Sequence, residues 1–201
     1  GEQGAQHSQS LHAWFAHVPG LKVVMPSTVA DARDLLIASV LSPDPVIYID
    51  DRWLYDQEDE IPAINPNIDL KNIKPHFLTE GTDLTIVSSG FSSKLAKDVS
   101  SALKIENVLS IEVIDLRVLN PLNIDGIIES VNKTNNLLVL DGGTRTCGYS
   151  AEIISSVMER IDINKLATNP QRITLPDCPA PTSKFLEDAY YPDLEGIKEF
   201  I

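Results

Sequence analysis

The sequence predicts an α/β protein in two blocks, each built on a parallel or mostly parallel sheet. Short apolar runs, such as 83–89 and 137–140, alternate along most of the chain with longer segments of helical periodicity. Glycine and proline separate these segments where turns are expected. Of 201 residues, 43% are hydrophobic and 22% charged, the composition of a globular protein with a core.

The first block, residues 1–56, is predicted to contain two helices and two strands. Ser8 is expected to cap the first helix, Pro19-Gly20 to end it, and Thr28 to cap the second. The predicted elements are a helix over 9–18, a strand over 21–25, a helix over 29–41 and a strand over 46–49. The buried stripe of the second helix is assigned to Ala32, Leu35, Leu36 and Ser39. Because a parallel sheet needs more strands and cover on both faces, we expect further chain before this block.

Residues 57–78 are expected to link the blocks, because this stretch is acidic, rich in proline and long for a connection inside a domain. Its marker residues are Glu58, Asp59, Glu60, Pro62, Asn65, Pro66, Asn67 and Pro75. The second block, residues 79–201, again alternates strand and helix, which predicts a compact, mostly parallel sheet. Its strands are expected over 83–89, 108–116, 137–140 and 172–175, and its helices over 92–105, 125–133, 151–160 and 193–201.

Charge and cysteine content limit the classes of partner and compartment. A net charge of −13 argues against nucleic acid and anionic membrane as partners, since both favour lysine and arginine. The same acidity suits a basic protein partner but is also common in soluble proteins. No apolar run approaches the roughly 18 residues that span a bilayer, and we expect no secretory signal. Cys147 and Cys178 form neither a disulfide framework nor a CxxC pair, so we expect a reducing compartment, a bacterial cytoplasm or the mitochondrial matrix.

His7 is the first candidate for chemistry. It lies at a predicted loop–helix junction, at the edge of an α/β layer where ligands are usually held. An imidazole can donate or accept a proton at physiological pH, but the residues alone favour a simpler role in capping the helix beside Ser8. His7, His12 and His17 recur every five residues, so one helix face cannot carry all three and a zinc site is not expected. We assign His12 and His17 to packing or to the surface.

The second candidate is the glycine-rich loop over 141–148, between a strand and a helix. Its backbone N–H groups could face an anion, yet Tyr149 stands where a P-loop has its lysine, which excludes that type of nucleotide site. The residues favour a tight turn over anion binding, with Ser150 as N-cap and Glu152 in the first helical turn. Cys147 has no histidine near it in the sequence, so nucleophilic catalysis is not expected.

The third candidate is the proline-rich segment over 176–193, which carries the pair Tyr190-Tyr191. Paired tyrosines on a rigid segment are typical of a surface that packs on a neighbouring subunit. They are equally consistent with a chain end held on its own domain, and both interpretations stay open.

Five motifs follow one another in a specific order and spacing. They are His7-Ser8-Gln9-Ser10, Pro19-Gly20-Leu21-Lys22-Val23-Val24, Ile114-Asp115-Leu116-Arg117, the run 175–181 from Leu175 to Pro181, and Glu187-Asp188-Ala189-Tyr190-Tyr191-Pro192. Together they resemble the β subunit of thiamine-diphosphate-dependent 2-oxoacid dehydrogenases, in the transketolase-like superfamily. The resemblance implies that residues 1–56 are the later part of a pyrimidine-binding domain and that residues 79–201 are a complete transketolase C-terminal-type domain.

The same resemblance implies roles for particular residues. It assigns His7 to the thiamine active site, where this histidine handles protons and orients the acyl intermediate or the lipoyl group. It also implies a monovalent cation such as K⁺, held mainly by backbone oxygens at Ser39, Val40, Ser42 and Asp44, although Ser42-Pro43-Asp44 departs from the commoner acidic loop. Thiamine diphosphate with Mg²⁺ is expected only in the full assembly. Its activating glutamate is expected upstream, so that Glu2 is not the residue, and its diphosphate site in the α subunit.

The implied activity is decarboxylation of a 2-oxo acid on thiamine diphosphate, followed by acyl transfer to a lipoyl domain. The implied partners are an α subunit, a second β subunit in a heterotetramer, and a lipoyl-bearing acyltransferase core; we expect the isolated chain to be inactive. One alternative is transketolase-type ketol transfer, ranked lower because only Lys22, Arg52 and Arg145 near the motif loops could hold a sugar phosphate. The other alternative is a non-catalytic assembly platform.

Overall fold

The computed structural model describes residues 3–64 and 68–201. Glu2 and the linker residues Asn65, Pro66 and Asn67 lie outside these ranges. The strands are β1 (Lys22–Val24), β2 (Val46–Tyr48), β3 (His76–Thr79), β4 (Leu84–Ser88), β5 (Ile111–Asp115), β6 (Val118–Asn120), β7 (Leu137–Thr144) and β8 (Gln171–Leu175). The helices are α1 (Gly4–His7), α2 (His12–Ala16), α3 (Val29–Leu41), α4 (Phe91–Ile105), α5 (Asp125–Thr134), α6 (Tyr149–Met158), α7 (Lys184–Tyr190) and α8 (Leu194–Phe200).

The larger sheet has the order β3-β5-β4-β7-β8, with β5, β4, β7 and β8 parallel and β3 antiparallel at one edge. Successive side chains of a strand face opposite sides, and both sides of this sheet are covered. Val87 of β4 packs with the apolar faces of α5 and α6, whereas its neighbour Ile86 packs with α4 and α8. The predicted α/β class with a mostly parallel sheet is therefore confirmed.

The smaller sheet has the order β2-β1-β6 and differs in one respect from the parallel sheet expected for the first block. The pair β1 and β2 is parallel, as expected, but β6 of the second block adds to β1 in the antiparallel direction. Arg117, with φ +59°, turns the chain between β5 and β6, and its carbonyl accepts the N–H of Met25 at 2.8 Å. Val23 and Met25 also join the core cluster of the second block. The domain boundaries at 56/57 and 78/79 stay a prediction.

The first predicted helix is wrong in its bounds. Instead of one helix over 9–18, the chain forms α1 and α2, and Ser8 follows α1 rather than capping a helix. The polar side chains between these helices make tertiary bonds that compete with helical continuation: Gln9 accepts the N–H of Ala180 at 3.1 Å, and Ser10 bonds the ring of His12. His7 consequently ends a helix instead of preceding one.

Helix α3 has the predicted bounds, and Thr28 caps it by accepting the N–H of Asp31 at 3.1 Å. Its predicted buried stripe is only partly correct. Leu35 is fully buried, but Leu36 is 49% exposed, and Asp31 and Ala38 are buried in its place. Ala32 is exposed and Ser39 half-buried. On this face Leu35 and Ala38 join an apolar cluster, and Asp31 is paired with the guanidinium of Arg117, 2.8 Å away.

Three elements of the second block were not predicted: β3, which begins inside the expected linker, β6 and α7. Strand β7 is also longer than expected and runs through the glycine-rich stretch to Thr144. The proposed N-cap Ser150 is wrong, because α6 begins at Tyr149 and Gly148 holds the cap position. The short strands are missed because neighbouring strands, and not their own sequence, stabilise them.

Candidate functional site

A cleft of about 560 Å³ opens where β2, β4, β7 and β8 end. Its walls come from the α1–α2 segment, the turn 49–53, the start of α4 and the segment 187–192. The carboxyl ends of parallel strands are the usual place for a ligand in an α/β fold. A smaller cavity of about 290 Å³ beside it lacks a histidine among its lining residues, so we take the cleft as the candidate site.

His7 lies on the wall of this cleft with its side chain exposed. The segment that carries it is held from the far end of the chain. The hydroxyl of Tyr191 donates to the carbonyl of Ser8, and the side chain of Gln9 accepts the N–H of Ala180. The predicted candidate is thus placed at a cleft, and its position depends on contacts about 170 residues away in sequence.

An aromatic cluster forms another part of the cleft wall and was not predicted as part of a site. The ring of Trp53 lies edge-on to Phe91 and to Tyr191, with centroids 4.7 Å apart in each pair. Asp51 fixes this wall, since its carboxylate accepts the N–H of Trp53 at 3.1 Å and that of Phe91 at 3.2 Å. Burial raises the pKa of Asp51 above its ordinary value, although these two bonds lower it in part. Trp53, Phe91 and Tyr191 lie far apart in the sequence, so no local motif indicates that their rings meet.

His12 is buried, in agreement with the packing role assigned to it, but it also makes two polar contacts that the sequence did not indicate. Its Nδ1 lies 2.7 Å from the hydroxyl of Ser10, and its Nε2 lies 3.0 Å from Oδ1 of Asp141. The ring also meets Tyr149 edge-on, with centroids 6.1 Å apart. His17, by contrast, is exposed.

Asp141 is a residue of β7, and its carboxylate lies at the N-terminus of α6. Its Oδ1 accepts the N–H of Gly143 and its Oδ2 that of Ser150, each at 2.8 Å. Burial alone would raise the pKa of Asp141, but hydrogen bonds from His12 and from these backbone groups outweigh it and lower the pKa below its ordinary value. Because this carboxylate already takes the N–H groups at the helix start, the geometry favours the turn over an anion site.

A second buried acidic group joins the two blocks at β5. Asp115 accepts the hydroxyl of Ser27 at 2.6 Å and that of Ser93 at 3.0 Å. Burial raises the pKa of Asp115 to about 6, and the nearby charge of Asp31 adds to the rise. Asp31 itself has a lowered pKa, since its bonds to His76 and Arg117 outweigh its own burial.

The four residues predicted to hold a monovalent cation lie at the end of α3 and in the turn after it. The ammonium of Lys22 lies 2.8 Å from the carboxylate of Asp44 and 3.3 Å from the hydroxyl of Ser42. The carbonyl of Ser39 accepts the N–H of Ser42, and Val40 is exposed. The Asp44 side chain therefore does not fit a bound cation, because the chain's own ammonium already neutralises it. Backbone oxygens would have to provide such a site.

Within the described residues, the C-terminal segment contacts its own chain. Tyr190 is buried and donates its hydroxyl to the carbonyl of Cys178 at 3.1 Å. Tyr191 packs on Trp53 and bonds Ser8. Phe185, 82% exposed, remains available for a further contact. The held-end interpretation thus accounts for both tyrosines.

Comparison with known proteins adds family and fold. The family model "Transketolase, C-terminal domain" matches residues 74–197, and "Transketolase, pyrimidine binding domain" matches residues 1–57. The solved structure "Split gene transketolase, inactive beta4 tetramer" is similar, with 19% identity and a TM-score of 0.64 over 94% of this chain and 58% of that one. At that identity the likeness concerns the fold alone.

Three curated relatives illustrate the sequence similarity. The chain is 36% identical to the mitochondrial pyruvate dehydrogenase E1 component subunit beta of Saccharomyces cerevisiae, covering 98% of this chain and 56% of that protein. It is 37% identical to the acetoin:2,6-dichlorophenolindophenol oxidoreductase subunit beta of Bacillus subtilis (96% and 55%). It is 34% identical to the mitochondrial 2-oxoisovalerate dehydrogenase subunit beta of Dictyostelium discoideum (99% and 54%).

The chain spans about half the length of these relatives. The two family matches follow one another along the chain in the order that the motifs imply. The chain therefore belongs to the transketolase family, and within it is similar to the β subunits of 2-oxoacid dehydrogenases, as its motifs predict.

Proposed function

We propose that this chain is part of the β subunit of a thiamine-diphosphate-dependent 2-oxoacid dehydrogenase. The parent enzyme decarboxylates a 2-oxo acid and transfers the acyl group to a lipoyl domain. The observation that carries the proposal is the position of His7 on a cleft at the carboxyl ends of the strands. The β-subunit names of the relatives support the same assignment.

In this proposal, His7 moves a proton at the cleft surface. An imidazole exchanges protons near neutral pH, and an exposed ring on a fixed segment can reach a bound substrate. The cluster of Trp53, Phe91 and Tyr191 gives the same cleft an aromatic wall. Together these residues hold, cover and protonate a ligand without a nucleophile of their own.

Thiamine diphosphate, when bound, supplies the electron sink for decarboxylation. The cleft fits the ring end of this cofactor, since Phe15, Met25 and Ile49 give it an apolar lining beside His7. Its diphosphate end has a weaker fit: across residues 3–64 and 68–201 no group of three or more His, Cys, Asp or Glu could hold a metal ion. As the family resemblance implies, we propose that Mg²⁺ and the diphosphate are held by an α subunit and that the activating glutamate lies upstream.

The proposed assembly contains an α subunit, a second β subunit in a heterotetramer and a lipoyl-bearing acyltransferase core. The net charge of −13 suits a basic partner and offers little to nucleic acid or an anionic membrane. In the described part of the chain, no helix is long and apolar enough to cross a membrane. We place the assembly in a bacterial cytoplasm or in the mitochondrial matrix. We keep the K⁺ site at Ser39, Val40, Ser42 and Asp44 as a proposal, in which backbone oxygens hold the ion weakly because the ammonium of Lys22 lies beside them.

Reconstitution tests the proposed function. The full-length subunit, co-expressed with its α partner, is supplied with thiamine diphosphate, Mg²⁺ and an artificial electron acceptor. The substrates are pyruvate, branched 2-oxo acids, acetoin and ketose phosphates. Turnover of a 2-oxo acid is expected, and His7→Ala should lower kcat by about 10²–10⁴-fold, whereas the exposed His17→Ala should not.

The other outcomes separate the alternatives. Turnover of ketose phosphates alone would transfer the chain to ketol transfer, and turnover of acetoin alone would place it with the acetoin-oxidising relatives. If the complex assembles but turns over none of these substrates, the non-catalytic assembly platform remains as the interpretation. Activity of the isolated chain would contradict the division of roles between subunits.

A further inference from the structure

A chain of hydrogen bonds leads from the cleft into the protein through Ser10, His12 and Asp141. Ser10 is half-buried and lines the cleft beside His7. Its hydroxyl lies 2.7 Å from Nδ1 of His12, whose Nε2 lies 3.0 Å from Asp141. Both His12 and Asp141 are more than nine-tenths buried. The proton transfer proposed for His7 uses none of these three groups.

The position of each proton follows from the partner at the inner end. A carboxylate can only accept hydrogen bonds, and Asp141 remains a carboxylate because its pKa is lowered. Nε2 of His12 must then carry the proton of a neutral ring, which leaves Nδ1 as an acceptor. Ser10 consequently donates its hydroxyl proton inward, and its oxygen faces the cleft with lone pairs alone.

The charge of Asp141 is balanced without a positive ring. Its carboxylate accepts the N–H groups of Gly143 and Ser150 and lies at the N-terminus of the ten-residue helix α6, where the helix dipole favours negative charge. We take the His12 ring, which is 2% exposed, as neutral, because the carboxylate already has these two backbone donors. The backbone of Gly143 also packs closely on the ring, since a Cβ at this position would lie only 3.1 Å from Cε1 of His12.

We propose that Ser10 is a hydrogen-bond acceptor of the binding cleft, held in that state by His12 and Asp141, and that it takes a neutral donor, a hydroxyl or amide N–H, of the ligand beside His7. Ser10 is thus a binding residue, whereas His12 and Asp141 are positioning residues. The inference rests on the proposed function in one respect, because it takes this cleft as the place where the substrate binds.

Nitrogen-15 spectra of histidine-labelled chain at pH 7.5 test the proton positions directly. The His12 signals, assigned with His12→Gln, should show a protonated Nε2 and an unprotonated Nδ1. Ser10→Ala should shift the Nδ1 signal, while His17→Gln should leave the His12 pair unchanged. A proton on Nδ1, or on both nitrogens, would overturn the proposal, and the unchanged protein alone decides this point.

A matched pair of probes tests the acceptor role. N-methylacetamide carries an N–H group and N,N-dimethylacetamide lacks it. Titration should shift the His12 signals with the first probe only, and Ser10→Ala should weaken that response by about fivefold or more, the worth of one hydrogen bond. Equal responses to both probes would refute the acceptor role. Neither readout requires turnover, so failure here is distinguishable from failure of the proposed function.

In the reconstituted enzyme, Ser10→Ala should raise KM by about fivefold or more for one substrate and leave kcat within about twofold. Ser10→Thr keeps the hydroxyl and should restore KM. Unchanged KM values for every accepted substrate, or a loss confined to kcat, would contradict a binding role.

Discussion

Asp51 accepts the backbone N–H of Phe91 at 3.2 Å, so a residue that follows β2 caps the helix that follows β4. The N-cap residue of α4 is Gly90, which has no side chain that could accept a backbone N–H. The same carboxylate accepts the N–H of Trp53. One side chain therefore fixes both the aromatic wall of the cleft and the junction between the blocks.

Removing this cap should destabilise the protein. We expect Asp51→Ala to lower the free energy of unfolding by about 1–2 kcal/mol, because two backbone N–H groups lose their acceptor. Asp56→Ala, at an exposed position of the same turn region, is the control and should change it by less than about 0.5 kcal/mol. Urea unfolding measures both. Equal effects would show that Asp51 does not act as a cap.

Asp115 should make stability fall as pH rises from about 4 to 6. Its pKa is about 6 in the folded protein and 3.8 ordinarily, so in this window the native state holds a proton that the unfolded state releases. Asp115→Asn cannot ionise. The stability of the unchanged protein minus that of Asp115→Asn should therefore be larger at pH 4.5 than at pH 7.5, by on the order of 2 kcal/mol. A difference independent of pH would contradict an elevated pKa.

The hydroxyl of Tyr191 should restrain the segment that carries His7. Tyr191→Phe keeps the contact with Trp53 but loses the bond to the carbonyl of Ser8. We expect faster hydrogen exchange over residues 4–11 and a loss of about 1 kcal/mol in unfolding free energy. Tyr190→Phe, which loses the bond to Cys178 instead, should leave exchange over 4–11 unchanged. Equal exchange in the two variants would remove Tyr191 from this role.

The ammonium of Lys22 should weaken any dependence on K⁺. In the unchanged protein, replacing K⁺ by tetramethylammonium at constant ionic strength should shift the unfolding temperature by less than about 1 °C. Lys22→Met frees the carboxylate of Asp44 for a cation, so K⁺ should then raise the unfolding temperature by about 2–4 °C. Lys104→Met, at an exposed position away from Asp44, serves as the control for lost positive charge. A strong K⁺ effect in the unchanged protein would show that backbone oxygens alone hold the ion.

Local signals in the sequence were sufficient for much of the fold. The bounds of α3 follow from Thr28 and from the Ser42-Pro43 break, and the strands β4 and β5 follow from apolar runs that are buried in the sheet. Motif order was sufficient for the family and for the selection of His7. These features depend on residues that are close together in the sequence, so they can be identified without the tertiary structure.

Contacts between distant residues decided the rest. Leu35 is buried against Val24 and Val118, whereas Leu36 is exposed, and Asp31 of the same buried face bonds Arg117, 86 positions away. The break between α1 and α2 depends on Ala180, and the buried role of His12 depends on Asp141. The sequence alone determined the fold class and the family, and it selected His7 as a candidate. Tertiary structure alone decided which partners surround that histidine, because a buried polar group takes its role from the group that satisfies it.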